Sequence, residues 1–261
     1  MNKSFLKKWK KRHRLIWLMI FMLIGSVLTT SMLSKREALA AEVMIEIKPL
    51  KNGGALITTE QVKTLLEAKF PTKDPDRISR VPLKQLEEAI NAHPLVQHAD
   101  VYVDARNRVR VRIEQPEPLI RVIDGHAASY YLDAEGRRIP LSTAYTPRVM
   151  VATGSIPPYR DSILNYPDHV LSQLVQLSAH VEQDEFVKAL IEQVYVKNKE
   201  IYLVPKMGQF EILLGDASQL EAKFRRLKAF YQHVLPSAGW DKYELVNLAY
   251  KGQIVCRKVS A

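Results

Sequence analysis

The sequence has few of the residues, and none of the short motifs, that mark the common classes of enzyme. It contains one cysteine, Cys256, which excludes a disulfide within the chain. It has no HExxH zinc motif, no GxSxG nucleophile turn, no phosphate-binding P-loop and no GxGxxG dinucleotide turn. The seven histidines are scattered, and His93 and His98 are separated by Pro94 rather than set on one helical turn. We therefore expect no catalytic residue, no metal, no cofactor and no small-molecule substrate.

Three features of the sequence can be interpreted either as functional or as structural. Residues 132–136 hold two carboxylates and a glycine, but they lack the spaced oxygen ligands of a calcium loop and favour a hairpin turn. Arg108, Arg110 and Arg112 alternate along a strand and could bind an anionic lipid or polymer, although a solvated face paired with nearby acids is commoner. Cys256 could act as a nucleophile or form an intermolecular bridge, but its apolar neighbours favour a small strand residue.

Acidic residues are absent from the first 36 positions, whereas seven lysines and arginines precede residue 15. Removing these seven charges from the formal net charge of +10 leaves +3 for the rest, which argues against a nucleic-acid partner. Residues 15–33 contain no charged side chain, and a helix of that length would be roughly 28 Å long, close to the thickness of the hydrocarbon core of a bilayer. The basic flank predicts that residues 1–14 are cytoplasmic and that the chain beyond the helix is exported.

A cleaved signal peptide is the alternative interpretation of the apolar segment 15–33. The stretch Ala38-Leu39-Ala40 resembles a cleavage site, and the residues before the apolar segment are basic. The segment is nevertheless longer than the usual apolar region of about 7–15 residues. An uncleaved anchor is therefore favoured, and both interpretations export residues 34–261.

Residues 34–115 have the hydrophobic pattern of a small unit with the order β-α-α-β-β. Apolar residues recur at helical spacing in two segments, and Val109, Val111 and Ile113 alternate with polar residues as in a half-buried strand. The predicted elements are a strand at 43–47, helices at 58–69 and 83–92, and strands at 101–103 and 109–113.

Pro116 and Pro118 mark a boundary, after which the pattern is mostly that of β-strands. Two segments, 169–181 and 217–235, instead carry apolar residues at helical spacing. The predicted strands are 119–123, 130–133, 138–141, 149–153, 191–196, 201–204, 210–214, 243–250 and 253–258. The fold class is therefore α+β, with a helix–sheet unit followed by a larger and mostly antiparallel β domain with two helices.

Several of these segments, in this order, resemble the bacterial cell-division family FtsQ/DivIB, particularly its Bacteroidetes-type members. The POTRA domain of that family resembles residues 86–112, LEEAINAHPLVQHADVYVDARNRVRVR. The junction between its two domains and the first hairpin of its β domain resemble IEQPEPLIRV at 113–122 and YYLDAEGRRIPLS at 130–142. Its last helix and strands resemble LGDASQLEAKFRRLKAFYQHV at 214–234 and YELVNLAYKGQIVCRK at 243–258.

The resemblance implies four segments with separate roles. Residues 1–14 form a basic cytoplasmic tail and residues 15–33 a transmembrane helix. Residues 34–115 form a POTRA-like domain, and residues 116–261 form a β domain of the FtsQ type. The protein is then a single-pass protein of the inner membrane, with both folded domains in the periplasm at the division septum.

The resemblance also implies a function and a set of partner-binding residues. Members of the family are non-enzymatic scaffolds that bind FtsB/DivIC-like and FtsL-like membrane proteins, among other division proteins, and help to recruit and regulate septal peptidoglycan synthesis. In the family, a strand near the C-terminus pairs with a segment of the FtsB-type partner. That region corresponds to Asn247, Leu248, Ala249, Tyr250, Lys251 and Gly252. Many members have arginine at the position of Ala249, so the side-chain contacts of the family need not all be kept.

Two other classes of function are compatible with an exported chain of this pattern. One is a POTRA-type assembly factor or chaperone, which usually has several tandem POTRA domains or a membrane barrel. The other is an anchored envelope hydrolase with an unfamiliar site, which would turn over peptidoglycan or a peptide. Neither has a motif in the sequence to support it.

Overall fold

The computed structural model describes residues 17, 19–24, 26, 43–69, 81–106, 108–126 and 128–259. Contacts divide the chain into two compact units. Thr59–Ala92 and His98–Ile113 belong to the smaller unit, together with the strand that ends at Ile47. Lys48–Thr58, His93–Gln97 and Glu114–Ala261 form the larger unit. Each unit has its own sheet, and each is described by itself.

The predicted membrane helix, residues 15–33, lies mostly outside the described residues. Residues 17, 19–24 and 26 are helical, and the side chains of Phe21 and Met22 are 79% and 74% exposed. No helix within the described part of the chain is long and apolar enough to cross a membrane.

The smaller unit consists of a three-stranded sheet and two helices in the order β-α-α-β-β. Strand β3 is central because β1 pairs with it in parallel and β2 flanks it on the other side. Helix α2 packs on β2 through the buried residues Leu86 and Ile90, and α1 contacts both β1 and α2. The elements are β1 (Val43–Ile47), α1 (Thr59–Lys69), α2 (Leu83–Asn91), β2 (His98–Val103) and β3 (Val109–Glu114).

Arg108, Arg110 and Arg112 are paired with nearby acids, as the commoner interpretation of their pattern predicted, but only Arg112 is exposed. Asp104, in the turn before β3, accepts from the side chains of Arg108 and Arg110, with N–O distances of 2.8 and 3.1 Å. Arg112 forms an ion pair with Glu46 on the neighbouring strand. The hydrogen bond from Arg108 holds the pKa of Asp104 well below its ordinary value.

The larger unit is built on a nine-stranded sheet of mixed direction. The strand order is β12-β11-β10-β9-β8-β7-β4-β5-β6. Neighbours are antiparallel except for β4 with β7, β7 with β8, and β10 with β11, which are parallel. The strands are β4 (Ile120–Ile123), β5 (Ser129–Leu132), β6 (Arg138–Ile139), β7 (Met150–Gly154), β8 (Ile191–Lys197), β9 (Glu200–Pro205), β10 (Glu211–Gly215), β11 (Tyr243–Asn247) and β12 (Val255–Lys258).

Helices cover one face of this sheet and bury its core. The helices are α3 (Val170–Gln183), α4 (Glu185–Leu190), α5 (Leu220–Ala229) and α6 (Leu235–Ala238). Residues 230–234 join α5 to α6 as a π-helical turn. Leu174 and Leu177 of α3 and Phe224 and Leu227 of α5 are buried together against the sheet. The predicted α+β class with a large sheet is confirmed. Helix α5 lies within its predicted segment, and α3 begins one residue later than its own and continues two residues further, to Gln183. The short helix α4 was not predicted because its six residues are too few to establish a hydrophobic period.

In two hairpins of the larger unit an aspartate side chain accepts backbone N–H groups, as Asp104 accepts those of Arg106 and Arg108 in the hairpin before β3. The carboxylate of Asp124 accepts the N–H of His126 and of Ala128, and that of Asp133 accepts the N–H of Arg137. Such side-chain-to-backbone hydrogen bonds stabilise a tight turn that needs only a few residues. Residues 132–136 therefore form a hairpin turn, as the sequence indicated.

Gln115 secures the segment Lys48–Thr58 to the rest of the larger unit. Its side chain is buried, its Oε1 accepts the N–H of Leu56 at 2.5 Å, and its Nε2 donates to the carbonyl of Lys48 at 2.7 Å. A buried amide is tolerated only when both of its ends are hydrogen-bonded, as they are here. No local sequence pattern indicates this role of Gln115, because its partners are 59 and 67 positions away.

The start of α5 is fixed by a buried lysine. The ammonium group of Lys223 is buried and donates to both the carbonyl oxygen and the carboxylate of Asp216, at 2.9 and 2.8 Å. The hydrogen bond from Lys223 lowers the pKa of Asp216 to about 2. The pair therefore ties the end of β10 to the helix that lines the last strands of the sheet.

We expect Asp216→Asn to lower the free energy of unfolding by about 1 kcal/mol at neutral pH, since Asp216 is well exposed and its ion pair is screened. A carboxylate with a lowered folded-state pKa stabilises the fold above its ordinary pKa, and the effect is lost as the pH falls toward 2. The difference in free energy of unfolding between wild type and Asp216→Asn, measured with urea, should thus have its full size at pH 6 and shrink steadily below pH 4. Asp241→Asn removes an exposed carboxylate with no ion pair in the described part of the chain. An equal loss in that control would contradict the role of Lys223.

Candidate partner-binding site

Strand β12 is an open edge of the nine-stranded sheet. It pairs with β11 on one side, and no strand of the described residues lies on its other side. The opposite edge strand, β6, is only two residues long. A sheet edge presents unpaired N–H and C=O groups that a further strand can complete, and β12 is the longer of the two edges.

The outward-facing backbone groups of β12 can be assigned from the pairing. Val259, directly after the strand, donates its N–H to the carbonyl of Lys242. Alternate residues of an antiparallel strand turn their N–H and C=O groups toward the same neighbour. The N–H and C=O groups of Cys256 and Lys258 therefore face away from β11 and are the ones that an added strand would bind.

The predicted partner-binding residues 247–252 lie at the end of β11 and in the turn that leads to β12. Leu248 is fully buried and continues the pairing with β10, because its N–H donates to the carbonyl of Leu213 at 2.8 Å. Asn247 is half-buried, and the four residues that follow Leu248, Ala249–Gly252, are exposed. Tyr250 is the largest of these, with half of its surface exposed.

The predicted strand 243–250 is too long, because β11 ends at Asn247. The side chain of Asn247 accepts the N–H of Ala249 at 2.9 Å and bends the chain out of the strand. Likewise, the predicted strand 253–258 begins only at Val255. The exposed part of the predicted set is therefore a turn, and the free backbone edge belongs to β12.

Arg226 of α5 holds this turn from the side of the helices, and sequence reasoning missed it. Its Nη2 donates to the carbonyl oxygens of Leu248 and Tyr250, at 3.1 and 3.3 Å. These bonds satisfy two carbonyls that leave the sheet, which fixes the turn against α5. The predicted helix 217–235 contains four basic residues, so nothing in the pattern distinguished Arg226 from its neighbours.

A groove of about 520 Å³ runs between α5 and the strands β11 and β12. Helix α5 contributes Arg226 and Ala229, and the π-helical turn after it contributes Phe230, His233 and Val234. The strand side contributes Tyr243, Gly252, Gln253, Ile254 and Cys256. The groove is mostly apolar, and burial raises the pKa of the Cys256 thiol, which therefore stays protonated at neutral pH. Cys256 thus behaves as a small half-buried strand residue.

The edge strand is charged and also carries exposed apolar residues. Arg257 forms an ion pair with Glu244 of β11, and Lys258 is exposed. Val255 and Val259 are exposed on either side of them. Charges on an edge discourage pairing with unselected strands, whereas the apolar residues offer contact area to a fitting one.

The described residues include no group of three His, Cys, Asp or Glu side chains placed to hold a metal ion. The region around β12 has several features suited to recognition. It offers backbone donors and acceptors at the open edge, a tyrosine on the adjoining turn, and an apolar groove with one arginine along its side. Such a surface fits an extended peptide segment better than a small molecule.

Sequence comparison assigns both units to described families. Residues 117–257 match the family "FtsQ/DivIB, C-terminal related", and residues 39–114 match a POTRA-like domain. The first match covers more than half of the chain, including strands β4 to β11 of the nine-stranded sheet and all but the last residue of β12. The resemblance noted in the sequence is confirmed, and so is the POTRA-like character of the β-α-α-β-β unit.

A relative among characterised proteins is the cell division protein FtsQ of Rhodothermus marinus. It is 28% identical to this chain over 178 residues, which are 66% of this chain and 63% of the relative. The chain therefore spans less than two thirds of the length of the curated relative that it matches.

Proposed function

The chain belongs to the FtsQ/DivIB family, and on that premise we propose that it is a non-enzymatic scaffold of the bacterial division machinery. It binds FtsB/DivIC-like and FtsL-like membrane proteins and thereby helps to recruit and regulate septal peptidoglycan synthesis. The observation that carries this proposal is the open edge of β12, which is a ready acceptor for a strand of another protein. The family match and the similarity to a cell division protein support it.

The proposal includes a membrane anchor at residues 15–33, with residues 1–14 in the cytoplasm and both folded domains, 34–115 and 116–261, in the periplasm at the septum. The uncharged segment and the basic flank support it. The described residues of the segment support it too, because they are helical and their large apolar side chains are exposed. Lipid is the solvent in which such side chains are stable.

The mechanism is strand addition. A partner segment lies beside β12 and exchanges hydrogen bonds with the outward N–H and C=O groups of Cys256 and Lys258. The backbone bonds fix the direction and register of the added strand, and its side chains meet the groove on one face. This interface needs only a short segment, which suits a small membrane protein that is mostly coiled coil.

In the proposed interface, residues 247–252 contact the partner next to this edge. Asn247 and Leu248 shape the turn, and Ala249, Lys251 and Gly252 leave its outer surface open to a partner. Tyr250 offers an exposed aromatic ring, the kind of side chain that dominates small interfaces. Ala249 has no charge to offer, so an ion pair made there by other family members is absent from this interface.

Lys258→Pro should weaken binding of the FtsB/DivIC-type protein of the same bacterium by at least about tenfold, because proline removes an outward N–H from the edge. Proline is tolerated where a strand N–H faces away from the sheet, so the fold is expected to survive. The matched control, Lys258→Ala, removes the side chain but keeps the N–H. Equal affinities for the two variants, measured with the full-length chain in nanodiscs, would show that the partner does not pair with β12.

Tyr250→Ala should weaken the same binding by roughly tenfold, the usual effect of removing an aromatic anchor, and should leave the thermal melt unchanged. Tyr166→Ala, which removes another exposed tyrosine of the larger unit, serves as the control. An earlier melt of the Tyr250 variant in circular dichroism would instead make this tyrosine a structural residue. An unchanged affinity would remove it from the interface.

A further inference from the structure

We propose that Arg226 is the recognition residue for a carboxylate on the strand that a partner adds to β12. The inference rests on the proposed function and specifies the chemistry of the partner, an extended acidic segment. It places one Asp or Glu of that segment in the groove between α5 and β12.

The first observation is that Arg226 lacks a counter-ion. None of the ion pairs formed within the described part of the chain includes Arg226, whereas the half-buried Arg108 and Arg110 are both paired with Asp104. Its Nη2 is committed to the carbonyl oxygens of Leu248 and Tyr250, and its Nε is buried without a hydrogen-bond partner. Neutral carbonyls hold the guanidinium in place but do not balance its charge.

The second observation is the setting of that charge. Arg226 is half-buried, and the groove beside it is walled by Ala229, Phe230 and Val234 of the helix side and by Ile254 of the strand side. These four side chains offer no acceptor, so they leave the charge of the guanidinium unbalanced. A carboxylate that entered the groove would gain a charge-assisted hydrogen bond in a region where such bonds are strong.

The third observation is that the groove lies where side chains of an added strand must go. Cys256 lines the groove from β12, so this face of the strand is turned toward α5. An added strand runs about 4.8 Å from β12, and every second side chain of it points to the same face. One or two partner side chains therefore project over the groove, beside α5.

The fourth observation is the charge of the surrounding surface. Residues 219–261 contain eight lysines and arginines against three acidic residues, one of which is paired with Arg257. Exposed Lys251 and Lys258 flank the proposed path of the added strand. A surface of this sign draws an acidic segment in and disfavours a basic one.

The experiment is a double-mutant cycle on the full-length chain in nanodiscs with the FtsB/DivIC-type protein of the same bacterium. Each Asp and Glu of the partner's pairing segment is changed to its amide, and each variant is measured against wild type and Arg226→Gln. We expect Arg226→Gln to weaken binding at least about tenfold, and neutralisation of one partner carboxylate to cost about the same. Neutralising the same carboxylate should not weaken binding further when the chain already carries Arg226→Gln, because the pair is already broken.

Arg225→Gln is the matched control, because it removes the same charge from the next, exposed position of α5. We expect it to change the affinity by less than about twofold. Arg226→Lys keeps the charge but not the forked geometry and should lose less than Arg226→Gln.

Equal losses at positions 225 and 226, or additive effects at every partner carboxylate, would overturn the inference. If Arg226→Gln does not fold, the partner variants are measured against the wild-type chain alone. If none of the changes of a partner carboxylate to its amide weakens binding, the proposed contact does not exist. Binding that survives these results would leave the proposed function standing. Failure of the wild-type chain to bind the partner at all would overturn both.

Discussion

The two edges of the nine-stranded sheet in the larger unit are unequal. One edge is β6, which has only two residues, and the other is the longer strand β12. Backbone N–H and C=O groups are obligatory hydrogen-bonding groups, so an open edge either faces water or receives another strand. Water satisfies these groups in no particular register or direction, whereas an added strand must adopt one of each. An open edge at the end of an otherwise well-paired sheet can receive a further strand in one register and direction, which is the role we propose for β12.

The elements around β12 hold that edge in place instead of covering it. Lys223 and Asp216 tie the start of α5 to the end of β10, and Arg226, one helical turn later, binds two carbonyls of the turn between β11 and β12. Leu248 anchors the same turn in the core. The helix thereby positions the turn and forms one wall of the groove. A rigid edge loses little entropy when a flexible segment binds to it, which favours the scaffold role.

Local patterns in the sequence foretold much of this fold, and long-range contacts account for the rest. The alternation of Val109, Val111 and Ile113 predicted β3, and the apolar spacing of residues 217–235 predicted α5, because each signal lies within one element. The identity of the edge strand did not follow, since it depends on β11 pairing in parallel with β10, 34 positions away at Glu211 and Leu245. Arg226 was missed for the same reason: its partners, Leu248 and Tyr250, are 22 and 24 positions distant.

The most direct test is made in cells of the source bacterium in which the native copy is depleted and a fluorescent fusion of the full chain is expressed. Under the proposed function, the scaffold role predicts that the wild-type fusion forms bands at midcell and that depletion alone produces filaments. It also predicts that wild type and the variant with alanine at position 258 restore division, whereas the variant with proline there does not. A uniform envelope signal with normal division on depletion would contradict the scaffold role. Full rescue by the proline variant would contradict the role of the open edge.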